Sequence, residues 1–397
     1  MGHHDHAPAA GRAENLGTNA AYDWSSLGKS TADLGDAQHL PAEVYTSQAV
    51  FERERDLLFF RDWIVVGRAD EIPDKGDYKT FDFLGEPILI CRDGEGNLNA
   101  FFNSCRHRGV AVAKGQGNAR VFVCPAHSWT YDLKGKLFGV LRPKQIGNFD
   151  TTHCELPPVK IDTYAGFIFI NLDPQASSLA DYLDVDGFRD TVAFLRGDDL
   201  MTVDRLSFEI DANWKIVMET LADVYHVEVV HRETFGKASN GYKPQTSSNL
   251  TLTKHGATKQ YSSPTFAPEG EALFGPMPWL ADHPSGRNVA LSFYLRPNFA
   301  FFGRCDMIQP CAVYPVSPSR SVITCWTCMP KEFASDPDFD RKVKVIADFC
   351  RKVNAEDKEL ILAIQKGLSS RAFPRGPVHE LERIVHHRTK AYVSAMA

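Results

Sequence analysis

The chain has 397 residues, a hydrophobic fraction of 43% and a formal net charge of -6 at pH 7. A chain of this length suggests about two domains. The modest negative charge, with no long basic run, argues against a nucleic-acid partner, and no apolar stretch is long enough to span a bilayer.

The N-terminal run MGHHDHAPAAGRAENLG lacks the charged-then-apolar order of a secretory leader, so a cytoplasmic location is expected. His3, His4 and His6 within it read as part of a mobile tail rather than as a metal site. Nine cysteines, an odd number, fit thiols kept reduced.

Residues 44–165 read as a small all-β domain. Short strands are expected at Glu86–Cys91, Asn97–Phe102 and Val121–Cys124, with hairpin turns at Asp93-Gly94-Glu95-Gly96 and Lys134-Gly135. At its loop tips lie Cys105, His107, Cys124 and His127, two short pairs that each join one thiolate to one imidazole. That mixture suits a 2Fe-2S cluster with two Cys on one iron and two His on the other. Neutral imidazoles leave such a cluster less negative than four thiolates would, which raises its potential and suits an electron relay. Tetrahedral zinc is the alternative, but zinc fingers usually group Cys with Cys and His with His.

The strand-like segment Gly166–Asp173 follows, and the run DPQASS after it reads as a connector. A strand with alternating Leu206, Phe208 and Ile210 leads into a helix whose Trp214, Val217, Met218, Leu221 and Tyr225 share one face, with Asn213 as N-cap. Residues 232–288 are rich in Ser, Thr, Pro and Gly and read as long loops. Strands return between about 289 and 330, and two helices close the chain. Cys325 and Cys328 form a CxxC, but on a strand residues three apart face opposite sides, so no redox or zinc role is assigned.

Asp223, His226 and His231 fall at the end of the first helix of this second part. Five residues correspond to about 140° around a regular helix, so two His at that spacing can share a metal only if the helix unwinds or bulges there. The bland alternative is a surface Asp and two ordinary histidines. An acid would complete a facial triad, the set that leaves positions open on a non-haem Fe(II). In the last long helix Glu356, Asp357 and Glu359 are available. Asp357 is centred on the stripe of Ile361, Ile364 and Leu368, Glu356 flanks it and Glu359 points away. A carboxylate on a buried face needs a cation or a hydrogen-bonding partner, which makes Asp357 the best third ligand. Placement in a helix's first turn is the competing explanation.

The runs NSCRHRG (103–109) and CPAHSWTYDLKGKL (124–137) resemble the cluster-binding loops of Rieske domains, with Ser128 where Gly is usual. With NWKIVMETLADVYHVEVVH and EDKELILAIQ, they resemble the Rieske non-haem iron oxygenases, the ring-hydroxylating α-subunit family that includes naphthalene dioxygenase. The resemblance covers nearly everything beyond residue 40. It implies an α+β fold: a Rieske domain over 44–165, and a catalytic domain of 1–43 and 166–397 with an antiparallel sheet covered by helices. It further implies that His226, His231 and Asp357 hold the mononuclear iron. Asp223 matches the family's bridging acid, which links this iron to the cluster of a neighbouring subunit in a trimer.

Open ferrous sites activate O₂ with electrons from outside. No flavin or nicotinamide fingerprint is present, so a separate NAD(P)H-dependent reductase is implied, with or without a ferredoxin, and β subunits are left open. Family members acting on quaternary ammonium compounds tend to carry Glu at the bridge, so Asp223 leans towards hydroxylation of an aromatic or xenobiotic small molecule. Oxidative N- or O-demethylation is the alternative, and a Rieske electron carrier without oxygenase activity is the rival class. Phe293, Tyr294, Phe299, Phe301 and Phe302 offer either pocket or core surface.

Overall fold

Alternating apolar residues build two large antiparallel sheets, both of which contribute to two separate cores, and a small third sheet. The computed structural model describes residues 22–145, 150–183, 188–193, 195–238, 250–262, 265–268, 270–280 and 289–396. The first unit contains β1 (Ile64–Arg68), β2 (Asp77–Phe83), β3 (Glu86–Arg92), β4 (Leu98–Phe102), β5 (Gln116–Asn118), β6 (Phe122–Val123), β7 (Thr130–Tyr131), β8 (Leu137–Gly139), β9 (Pro158–Tyr164) and β10 (Phe167–Asn171). Seven of these form one sheet in the order β1-β10-β9-β4-β3-β2-β5, and β6-β7-β8 form a second.

Both expected hairpin turns are present, for local reasons. Between β3 and β4 the carboxylate of Asp93 accepts from the backbone of Glu95 and Asn97, each at 2.9 Å. Between β7 and β8 Asp132 does the same for Lys134 and Lys136. Gly135 there has φ +81°, and a Cβ would meet the Phe101 ring at 2.4 Å, so only glycine fits.

The sheet does not follow the expected division at 44 and 165. Residues before β1 are helical, at Glu43–Thr46, Gln48–Glu54 and a π-type turn at Arg55–Phe59. At the other end β10 pairs with β1 and β9, so it belongs to the first sheet rather than the second. Every residue of β10 is buried because its two faces feed different cores: Ile168 and Ile170 pack in one, Phe167 and Phe169 in the other. A strand buried on both faces carries no pattern that tells which sheet owns it.

The second unit is a seven-stranded antiparallel sheet of β11 (Leu200–Ile210), β12 (Leu250–Leu252), β13 (Gly256–Ser262), β14 (Val289–Leu295), β15 (Phe299–Gly303), β16 (Ile308–Ser317) and β17 (Arg320–Pro330), in the order β11-β17-β16-β15-β14-β13-β12. The α+β class is as expected. Strands β12 and β13 lie in the stretch read as loop. Thr258 and Lys259 are both buried on β13, so apolar alternation is missing from a real strand. Cys325 and Cys328 lie on β17 and join different cores, as strand alternation requires.

Three helices matter for the site: Trp214–Ala222, Phe339–Leu368 and Arg383–Met396. The first packs against β15, β16 and the second. Its N-cap Asn213 accepts from Lys215 N at 2.9 Å and donates to Tyr45 O and Pro318 O, while its own backbone N–H donates to Gln365 of the long helix. One buried residue thus fixes the helix start against three separate segments. Among the described residues, no helix is long and apolar enough to cross a membrane.

Candidate functional site

The helix that starts at Asn213 stops at Ala222. Asp223 has an extended backbone (ψ 120°), and a four-residue helix resumes at Val227–Val230. This unwinding, rather than a π-bulge, lets His226 and His231 face the same point. It also turns Tyr225 outward, 51% exposed, instead of continuing the buried face. The Asp223 carboxylate caps its own loop, accepting from Tyr225 N at 2.6 Å, and the Tyr225 ring lies flat on His379 at 3.9 Å.

His226 Nε2, His231 Nε2 and Asp357 Oδ1 form a triangle with sides of 3.3, 3.4 and 3.1 Å. Ligand atoms about 2.1 Å from a metal and at right angles would lie about 3 Å apart, so the triangle has the dimensions of one face of an octahedron. Asp357 Oδ1 is buried with no hydrogen-bond partner, which a cation would supply. Burial pulls His226 down, but Asp223 and Asp357 outweigh it and hold it at about 9. Burial pushes Asp357 up, and the two imidazoles more than reverse this. A metal cation would replace the protons that this site otherwise attracts.

Behind the triangle each imidazole has a carboxylate partner. His226 Nδ1 faces Asp223 Oδ2 at 3.1 Å, and His231 Nδ1 faces Glu356 Oε2 at 2.8 Å. With a metal held at Nε2, each Nδ1 would carry the hydrogen and donate it to its acid. Glu356 also accepts from Thr234 Oγ1 at 2.6 Å. Sequence reasoning left Glu356 without a role. Its place beside Asp357, flanking the buried stripe, is the signal that could have found it. Glu359 is exposed, as expected.

The triangle opens onto a cavity with about 740 Å³ of space free of protein atoms, its open mouth included. Phe235, Phe266, Tyr294, Phe302, Arg304 and Gln309 contribute to its wall. The five aromatic residues expected as pocket or core divide by strand alternation. Tyr294 and Phe302 line the cavity, whereas Phe293, Phe299 and Phe301 pack in the core on the sheet's other face.

In the first unit Cys105 and Cys124 are buried and His107 and His127 are exposed at the loop tips. The two Nδ1 atoms lie 3.1 Å apart, close enough to share one iron, and the His107 ring stacks on Trp129 at 5.1 Å. Tyr131 OH lies 3.3 Å from Cys105 Sγ and accepts from Arg106 N. Each loop closes by backbone bonds, Gly109 N to Cys105 O and Ser128 N to Cys124 O. Buried sulfurs on one side and exposed imidazoles on the other fit a 2Fe-2S cluster whose histidine iron faces solvent. Ser128 adopts φ +56°, a left-handed conformation that explains why glycine is usual there. Ser128→Gly is therefore expected to stabilise this loop by up to about 1 kcal/mol, read as a higher temperature for loss of the cluster's visible absorption.

The cavity beside His107 and His127 shares no lining residue with the one at the facial triangle. Each site is built from its own unit.

Comparison with known proteins agrees with this division. The family model for the Rieske [2Fe-2S] domain matches residues 62–150, and that for the ring hydroxylating alpha subunit (catalytic domain) matches residues 198–397. The oxygenase subunit of carnitine monooxygenase from Escherichia coli K12 is 30% identical, over 86% of this chain and 87% of its own length. Chloroplastic choline monooxygenase of Spinacia oleracea is 27% identical, over 89% of this chain and 77% of its own. The solved structure of a quaternary ammonium Rieske monooxygenase superposes with a TM-score of 0.77 at 25% identity, covering 92% of this chain and 96% of that one. The lean towards aromatic substrates and aromatic hydrocarbon catabolism drawn from Asp223 finds no support in these relatives. The physical reason is plain: Asp223 touches the back of His226, and an acid spent on that contact reports little about the cavity's occupant. With both domains present in order, the chain belongs to the ring-hydroxylating α-subunit family and is the terminal subunit of a Rieske oxygenase, an oxidoreductase with a 2Fe-2S cluster and a mononuclear iron.

Proposed function

We propose that this subunit is a monooxygenase that removes a methyl group from a quaternary ammonium substrate. The observation that carries the reading is a cavity walled by Phe235, Phe266 and Phe302 that opens on His226, His231 and Asp357. Phenyl faces attract an N-methylated cation through their quadrupole while leaving its C–H bonds undisturbed. The names of the carnitine and choline relatives support the same chemical class.

Bound iron would supply reductive activation of dioxygen. The chain's own residues do the rest. His226, His231 and Asp357 would hold the metal by one face, and Glu356 and Asp223 fix the two imidazoles in the required tautomer. Phe235 and Phe302 exclude water beside the reacting methyl. In the overall reaction a methyl C–H becomes C–OH and the second oxygen atom leaves as water, using two electrons and two protons. The hydroxymethyl ammonium then loses formaldehyde and a proton, leaving a tertiary amine.

Electrons would come from a separate NAD(P)H-dependent reductase, and the exposed His107 and His127 tip is the natural place for them to enter. Because cluster and triangle line separate cavities, we also propose a homotrimer in which the tip of one subunit reaches Asp223 of the next. With a reductase, NADH and a trimethylammonium substrate, about one formaldehyde is expected per dioxygen consumed, with one labelled oxygen atom entering the hydroxymethyl group. Diol formation on an aromatic compound, without formaldehyde from any N-methyl substrate, would overturn the proposal.

A further inference from the structure

Cys311 on β16 and Cys325 on β17 stand directly opposite each other in the antiparallel register, and their Sγ atoms touch at 2.7 Å. Residues opposed in this way have Cα atoms about 4.5–5.5 Å apart, inside the span of about 4.4–6.8 Å that a disulfide bridges. The partner of Cys325 is thus not Cys328, three residues along the same strand and on its other face, but a thiol on the neighbouring strand. Spacing along the chain gives no sign of this pair.

Both cysteines are free thiols, 5% and 8% exposed. Cys311 lines the substrate cavity together with Asn354 and Asp357, and it is the one cysteine among the described residues that does so. From it the hydrogen bonds run away from the cavity: Cys311 donates to Cys325, and Cys325 donates to Asn354 Oδ1 at 3.5 Å. Asn354 lies one turn before Asp357 on the long helix, where its Nδ2 donates to Cys350 O at 2.8 Å. Cys350 is engaged elsewhere, its Sγ accepting from Gln309 Nε2. Among the described residues, no other thiol lies within hydrogen-bonding distance of the pair.

We propose that Cys311 and Cys325 are an oxidation site, a reversible trap that hydrogen peroxide in this cavity closes to a disulfide. The inference rests on the oxygenase chemistry of the family and is independent of the substrate. Dioxygen that takes two electrons and two protons without attacking a C–H bond leaves as hydrogen peroxide, and Cys311 is the thiol that faces it there. In the first step the Cys311 sulfur takes one oxygen atom: the O–O bond breaks, a sulfenic acid forms and water leaves. In the second the Cys325 sulfur displaces that oxygen, which makes the S–S bond and releases a second water. Two thiols and one peroxide thus give one disulfide and two waters, and a small thiol reverses the bond by becoming a disulfide itself. The bond to Cys325 and burial hold the Cys311 thiol well above its usual value, so the first step is slow with bulk peroxide. The second step is favoured by place, because a second thiol already in contact captures the sulfenic acid before it oxidises further.

The test is to treat the reduced holoenzyme with hydrogen peroxide, unfold it in N-ethylmaleimide and map the thiols by peptide mass. Maleimide label at Cys311 and Cys325 is expected to fall about tenfold, with the two found in one cross-linked peptide pair that dithiothreitol resolves. Cys328 and Cys350 should keep their label. In Cys325→Ser the trap lacks its second thiol, so Cys311 should proceed to sulfinic acid, which dithiothreitol does not reverse. Cys350→Ser should leave the cross-link as it is. Full labelling of Cys311 and Cys325 after peroxide overturns the proposal, and so does a cross-link of either to Cys328 or Cys350. Cys311 found as sulfinic acid in the parent protein overturns it too, and none of these three results needs a variant to fold.

Discussion

Asp223→Asn is expected to lower turnover about 100-fold while iron content, visible spectrum and substrate affinity stay those of the parent. The substitution keeps the shape and one of two acceptors: Asp223 receives Tyr225 N at Oδ1 and faces His226 Nδ1 with Oδ2, and Asn Oδ1 can keep the bond from His226 Nδ1 while the bond from Tyr225 N is lost. The helices on either side, Trp214–Ala222 and Val227–Val230, still hold the loop that presents both histidines. What disappears is the charge. Asp223 has two neighbours that its negative charge serves: His226, which it makes more basic and fixes in one tautomer, and the surface where a neighbouring subunit's cluster would approach. In the proposed trimer the neutral amide would deprive an incoming electron of the carboxylate that faces His226 Nδ1. Iron analysis should find about three irons per chain in variant and parent alike. A single-turnover experiment should place the defect in cluster oxidation after substrate is added. Parent-like cluster oxidation in the variant would remove Asp223 from the electron path and leave it as a loop cap only.

The chain disclosed its chemistry more readily than its topology, and the reason is the range over which each is encoded. Cys105 with His107, and Cys124 with His127, are close pairs whose meaning is local, and the structure brings each to a loop tip. Asp357 could be chosen over Glu359 because a helix face is fixed by 100° per residue, and only one of the two lies on the buried side. Glu356 escaped because its importance depends on His231, more than a hundred residues away, and no helical rule contains that contact. The break after Ala222 was foreseeable from the five-residue spacing of two histidines, but its form, an extended Asp223 rather than a bulge, depends on the carboxylate bonding back to Tyr225 N.

Topology depended on partners the chain does not announce. Residues 44–59 fell inside the expected β domain, yet they fold as helices. Glu54 within them is fully buried. In β13 the polar Lys259 is likewise buried, and burial pulls its pKa down. Where polar side chains are satisfied inside, apolar periodicity stops marking the strand or helix that carries them.

Glu54→Ala is expected to destabilise the protein by about 4 kcal/mol and to cost activity through the same displacement. Glu54 is 0% exposed and accepts three hydrogen bonds: from Lys215 Nζ at 2.6 Å, Tyr392 OH at 2.6 Å and Trp214 Nε1 at 2.8 Å. Its removal leaves a buried ammonium without its counter-charge, and two further donors without an acceptor. Burial already pulls Lys215 below the usual lysine value, with Glu54 opposing the pull, so the variant should drive Lys215 towards its neutral form. The three partners belong to the first turn of the helix Trp214–Ala222 and to the C-terminal helix Arg383–Met396. Glu54 therefore joins the N-terminal segment to the helix whose other end presents Asp223, His226 and His231. A fall in Tm of about 10 °C is the thermal counterpart. Glu54→Gln, which keeps one acceptor oxygen where Glu54 uses two and carries no charge, should lie between parent and Ala. The double variant Glu54→Leu, Lys215→Met separates charge burial from hydrogen bonding: it should recover the part of the loss that comes from the unpaired ammonium, while Trp214 Nε1 and Tyr392 OH still lack their acceptor. If Glu54→Ala unfolds within about 1 kcal/mol of the parent, the ion pair does not hold this helix, and the placement of Asp223 must rest on Asn213 and Tyr45 instead.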